Sequence, residues 1–97
     1  MEETIMKVNF YATLREIVGK KTVELTLPAG TTAIQLVRMF VKEYPPMRRE
    51  LLDAHENFLP HMKFILNGRQ AEYLPDQMDT ILQPDDKVDI FPPVGGG

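Results

Sequence analysis

Apolar and polar residues alternate with a period of two along most of this chain, and one long stretch departs from that period. Residues 5–11 place Met6, Val8 and Phe10 on one face and Lys7, Asn9 and Tyr11 on the other, which predicts a first strand. Residues 12–18 predict a short helical turn, with Gly19 at the position that commonly ends one. Residues 22–27 alternate again with Val23, Leu25 and Leu27 inward, so the first two strands form a hairpin with a helical connection. Pro28 ends the second strand, Gly30 turns the chain, and Thr31 or Thr32 caps a helix running to about Tyr44. In that helix Ala33, Leu36, Val37, Phe40, Val41 and Tyr44 fall on one face, opposite Gln35, Arg38 and Lys42.

Pro45-Pro46 stops the main helix, because proline disfavours helical geometry in the residue before it and has no N–H to donate. Residues 47–52 predict a second, short helix, and residues 53–60 a loop. Residues 62–67 alternate with Met62, Phe64 and Leu66 together, and Asn67-Gly68 then supplies the positive φ values of a type I′ hairpin turn. Residues 69–73 are the expected return strand, and residues 74–82 an irregular stretch with one short turn. Pro84-Asp85-Asp86 makes a last tight turn before a final strand at residues 87–91, with Val88 and Ile90 inward. Two strands, one helix and three later strands make a two-layer α+β architecture. This is the layout of a β-grasp, the ubiquitin-like roll, with a mixed sheet, one main helix packed across it and the last strand near the sheet centre. The expected organisation is one β-grasp domain over residues 1–91 and an extended tail over residues 92–97.

Composition narrows the function. At 97 residues, with 43% hydrophobic and 26% charged content, the chain suits one soluble globular domain. A formal net charge of −3 argues against nucleic-acid binding, since the basic residues come at most in the pairs Lys20-Lys21 and Arg48-Arg49. With no cysteine there is no disulfide framework, thiol nucleophile or thiolate metal site. The acidic start Met1-Glu2-Glu3 lacks the order of a secretory signal, and no apolar run approaches the ~20 residues of a membrane span, so a cytoplasmic protein is expected. No glycine spacing matches a nucleotide-binding loop, so ATP would have to be bound by a partner. His55 and His61 stand alone, with no spacing for a metal site or a triad, and read as surface or structural residues. No metal and no bound cofactor are expected.

What remains is the tail, Pro92-Pro93-Val94-Gly95-Gly96-Gly97. Two prolines lock φ and remove two donors, so the strand ladder stops, and three glycines then leave a slender tip. By themselves terminal glycines favour a frayed end. A strand of a rigid body feeding directly into them favours a presented one. The Gly97 carboxyl, ionised at neutral pH with a pKa of ~3.3 to 3.7, is a poor electrophile until a partner activates it, most simply as an acyl adenylate. Extended at ~3.3 Å per residue, the tail reaches about 20 Å, enough to enter another protein's pocket.

The run Val88-Asp89-Ile90-Phe91-Pro92-Pro93-Val94-Gly95-Gly96-Gly97 resembles the carboxy-terminal signature of the molybdopterin synthase small subunit, the MoaD-type sulfur carriers. The opening Lys7-Val8-Asn9-Phe10-Tyr11-Ala12-Thr13-Leu14-Arg15-Glu16-Ile17-Val18-Gly19 is similar to that family's first strand and turn, and Ile65-Leu66-Asn67-Gly68-Arg69 to its hairpin. The chain departs from the pattern at Gly95, where alanine or serine is frequent, and at Pro84-Asp85-Asp86, where a glycine is commoner. The resemblance is not drawn through the loop at residues 55–61. The resemblance implies that an E1-like adenylyltransferase adenylates Gly97 with ATP bound in its own site, and that sulfur then replaces the adenylate. The thiocarboxylate would insert into the large catalytic subunit of molybdopterin synthase, in an expected heterotetramer, and supply dithiolene sulfur for a molybdenum or tungsten cofactor. The chain would carry the reacting atom at Gly97 and its partners the catalysis, with Phe91, Pro92, Pro93, Val94, Gly95 and Gly96 as the docking segment. Core packing is the competing expectation for Phe91. Two alternatives share the activated carboxyl: a ubiquitin-like modifier joined to lysines through Gly97, and a sulfur carrier for thiazole or cysteine synthesis. A fourth is a β-grasp interaction module with an inert tail.

Overall fold

The computed structural model describes residues 3–92. Strands β1 (Glu3–Phe10), β2 (Thr22–Pro28), β3 (Lys63–Leu66), β4 (Arg69–Gln70) and β5 (Lys87–Phe91) form one sheet in the order β2-β1-β5-β3-β4. Helix α1 (Thr13–Val18) connects β1 to β2, and helix α2 (Ala33–Glu43) follows β2. A 3₁₀ turn at Pro45–Met47 leads into helix α3 (Arg48–Leu51). The sheet is mixed: β1 pairs antiparallel with β2 and parallel with β5, while β3 pairs antiparallel with both β5 and β4. The β-grasp expected from the alternation is thus the observed fold, with its last strand between β1 and β3.

One face of the sheet is covered by α2. Met6, Val8 and Phe10 of β1 and Val88 and Ile90 of β5 are fully buried there, together with Leu36, Val37 and Phe40 of the helix. The Phe10 and Phe40 rings meet edge to face at 4.9 Å, the offset geometry that aromatic quadrupoles favour. Of the two candidate caps, Thr32 forms the capping box: its hydroxyl accepts from the Gln35 N–H, and the Gln35 Oε1 accepts from the Thr32 N–H. Thr31 instead donates its hydroxyl to the Pro28 carbonyl. The Ala33 N–H donates to the Thr80 carbonyl and the Leu82 N–H to the Thr31 carbonyl, so the irregular stretch before β5 is fastened to the start of α2.

One detail differs from the alternation. The return strand expected at residues 69–73 pairs only through Arg69 and Gln70, and Ala71–Tyr73 turns into a 3₁₀ helix. Ala71 and Glu72 favour strands poorly, and burying Ala71 while leaving Tyr73 exposed breaks the period of two. Leu25, expected inward, does pack against the core from the edge strand, half-buried. The prolines that stop α2 also begin the next turn, since Pro45 and Pro46 occupy its first positions, where a missing N–H costs nothing.

Candidate functional site

The last described element before the tail is β5, which is flanked on both sides. Its register pairs Lys7 to Phe10 of β1 with Lys87 to Ile90, and Leu66 to Lys63 of β3 with Val88 to Phe91. Both neighbours therefore hold the strand up to its last residues. Asn67 fixes its beginning as well as making the hairpin. With φ of 52° at Asn67 and 85° at Gly68, the turn has the positive values expected of type I′. The Asn67 side chain accepts from the Lys87 N–H at 2.8 Å and donates to Asp86 Oδ1 at 2.8 Å, while the Asn67 N–H donates to the Lys87 carbonyl.

At the other end of β5 the face away from α2 carries a polar cluster. Asp89 Oδ1 accepts from the Tyr11 hydroxyl at 2.8 Å and from Asn9 Nδ2 at 2.9 Å. Asn9 Oδ1 accepts in turn from the Thr22 hydroxyl at 2.7 Å, so the bonds run across β2, β1 and β5. The Asp89 carboxylate favours the neutral phenol and pushes the Tyr11 pKa above its usual 10.0, first through the hydrogen bond, then through partial burial and like-sign repulsion of the phenolate. The Tyr11 ring meets the Phe91 ring edge to face at 5.5 Å and 82°, and the Lys21 ammonium lies 5.9 Å from the Tyr11 centroid. Phe91 is half-buried and outside the core under α2, so the competing core expectation for it does not hold.

Of the expected site residues, Phe91 and Pro92 stand at the end of the central strand, both half-buried. Pro93, Val94, Gly95, Gly96 and Gly97 lie outside the described residues. Reasoning from sequence assigned no role to Asn9, Tyr11 or Asp89. Their signal was present in the alternation, which put Asn9 and Tyr11 on the outer face of β1, but only the parallel register of β1 with β5 reveals that they converge on Asp89.

Elsewhere the described residues offer little chemistry. His55 and His61 are exposed, and no group of three or more histidine, aspartate or glutamate side chains is placed to hold a metal ion among the described residues. Asp53 Oδ1 accepts from the His55 and Asn57 N–H groups, and the Arg38 guanidinium donates twice to the Glu56 carbonyl, so the loop after α3 is a hydrogen-bonded turn braced on α2. A hollow of about 190 Å³ beside β3 is lined by Phe58, Met62, Phe64, Gln70, Ala71 and Met78, with the Gln70 Oε1 buried and unpartnered. No helix among the described residues is long and apolar enough to cross a membrane.

Sheet order, crossing helix and central last strand define a ubiquitin-like β-grasp protein. The chain belongs to the ThiS family, whose model matches residues 8–97, including the whole tail. It is 35% identical to small archaeal modifier protein 3 of Haloferax volcanii, over 95% of this chain and 98% of that one. It is 26% identical to the molybdopterin synthase sulfur carrier subunit of Dictyostelium discoideum, over 94% of each chain. The solution structure of a Haloferax volcanii protein with 33% identity superposes with a TM-score of 0.84, covering 98% of this chain and 88% of that one. Family and relatives place the chain among the ubiquitin-like sulfur carriers and modifiers.

Proposed function

We propose that the chain works by activation of the Gly97 carboxyl, and that its principal product is a thiocarboxylate that donates sulfur for the dithiolene of the molybdenum or tungsten cofactor. The observation that carries this reading is the position of β5. A strand held by neighbours on both sides ends at Phe91, and the tail begins there from a rigid platform. An E1-like partner binds ATP, and the Gly97 carboxylate attacks the α-phosphorus, releasing pyrophosphate and forming the acyl adenylate. A sulfur nucleophile then displaces AMP at an acyl carbon that glycine leaves unhindered. This chain's part is presentation. Ordering each glycine costs roughly 1 to 2 kcal/mol, which backbone hydrogen bonds along the partner's channel would offset. The carrier subunit of Dictyostelium discoideum is named as part of a synthase, which supports a large catalytic subunit as the second partner.

A second reading is a modifier joined through Gly97 to target lysines, and it has a specific observation in its favour. The relative named a modifier is 35% identical, against 26% for the one named a sulfur carrier subunit. Both fates begin with the same adenylate, so one experiment separates them. An epitope-tagged chain is coexpressed with an E1-like enzyme and a sulfur source, followed by intact mass measurement of the free chain and a search for tagged branched peptides on lysine. A free chain with oxygen replaced by sulfur at Gly97, and activity in reconstituted dithiolene synthesis, is the expected result. Tagged lysine conjugates without a sulfur-bearing free chain would favour the modifier reading, and an unchanged mass with no conjugates would reject both.

A further inference from the structure

We propose that Tyr11 and Asp89 form a brace that sets the direction in which the tail leaves β5, with Tyr11 the positioning residue and Phe91 the part it acts through. The inference rests on the activated-tail reading for its function but on separate observations for its geometry. Phe91 is the last residue of the strand and precedes Pro92, whose fixed φ leaves little slack between them. The direction of Pro92 is therefore inherited from how Phe91 is held. On the outer face the Phe91 side chain has the Tyr11 ring against it, edge to face.

That ring is itself held in place. Tyr11 follows the last residue of β1, and the next residue, Ala12, takes φ of 55° and ψ of −131°, a conformation that residues other than glycine rarely adopt. The chain turns away sharply there while the Tyr11 side chain stays over the sheet, where its hydroxyl reaches Asp89. Asp89 lies two residues before Phe91 on the same face of β5, so it spans the strand to Tyr11 beside the ring that it steadies. Asn9 and Thr22 complete the row and leave Asp89 Oδ1 with two donors. A solvated outer face has no need of such a network for burial, since nothing there is fully buried. Its structural consequence is to fix one aromatic pair at the root of the tail.

The test uses the full-length chain with Tyr11→Ala, Tyr11→Phe, Asp89→Ala, Asp89→Asn and Phe91→Ala, and the double variant Tyr11→Ala/Phe91→Ala. In the free protein, three-bond couplings report the Phe91 χ1 angle. A single rotamer is expected in the unaltered chain and in Asp89→Asn, which keeps the acceptor oxygen, and rotamer averaging in Tyr11→Ala and Asp89→Ala. In charging by an E1-like enzyme, Tyr11→Ala should lower kcat/KM on the order of tenfold, within the range that misplacement of reacting groups produces. Tyr11→Phe should fall between it and the unaltered chain. In the Phe91→Ala background Tyr11→Ala should cost nothing further, because the two act as one unit. An unchanged Phe91 rotamer in Tyr11→Ala overturns the brace, whatever happens in charging. So do additive losses in the double variant. If the unaltered chain is never charged, the activated-tail reading fails, and the couplings in the free protein still decide whether the brace exists.

Discussion

Single side chains carry some of the clearest consequences. Gln70 buries an oxygen without a hydrogen-bond partner in the hollow beside β3. A buried acceptor left unpaired costs about 1 to 3 kcal/mol, so Gln70→Met, similar in length and apolar, should raise stability by about 1 kcal/mol in urea unfolding. Asp85 takes φ of 69°, where glycine is the natural choice and aspartate is among the better tolerated alternatives. Asp85→Gly should therefore be tolerated within about 0.5 kcal/mol, whereas the β-branched Asp85→Val should cost about 1 to 2 kcal/mol by thermal unfolding. Tyr11 links geometry to pH. Its folded pKa is raised above 10.0, so its contribution is fully present below the unfolded value and is lost as pH rises through the folded one. Tyrosine ζ-carbon NMR should show Tyr11 titrating above the ordinary value, and Asp89→Ala should bring it back toward that value by removing the hydrogen-bond acceptor together with the negative charge.

At the level of elements, β5 is defined by its neighbours more than by its own five residues. Asn67 shows the coupling, because one side chain makes the hairpin turn and also grips the start of β5. Asn67→Gly keeps the turn but loses the grip, and should cost about 1 kcal/mol with faster hydrogen exchange at the Lys87 amide. Asn67→Ala should cost more, since alanine also resists φ of 52°. Most elements were legible in the sequence because their faces differ in polarity: Met6, Val8 and Phe10 announce β1, and the spacing from Ala33 to Val41 announces α2. The short life of β4 was not legible. Alternation at residues 69–73 looks like a strand until Ala71 is seen to turn under the sheet. Neither was the cluster at Asp89, because a residue in β5 meets Asn9 and Tyr11 only through a register spanning most of the chain.

For the whole molecule, the proposed function has the β-grasp body present the tail and the tail carry the reacting group. Alternation, turn chemistry and the carboxy-terminal signature make both parts visible, but which partner receives the tail depends on surfaces of other proteins that this sequence does not encode. Removing Gly96 and Gly97 should leave the urea midpoint unchanged, because the buried cluster under α2 is drawn from the body. The same deletion should abolish charging. The most direct test of the account is the intact mass of the full-length chain after incubation with an E1-like enzyme, ATP and a sulfur donor, localised by fragmentation. Replacement of one oxygen by sulfur at Gly97, absent from the tail deletion, is the expected result. A Gly97 that stays a plain carboxylate, while a known carrier in the same reaction is converted, would contradict it.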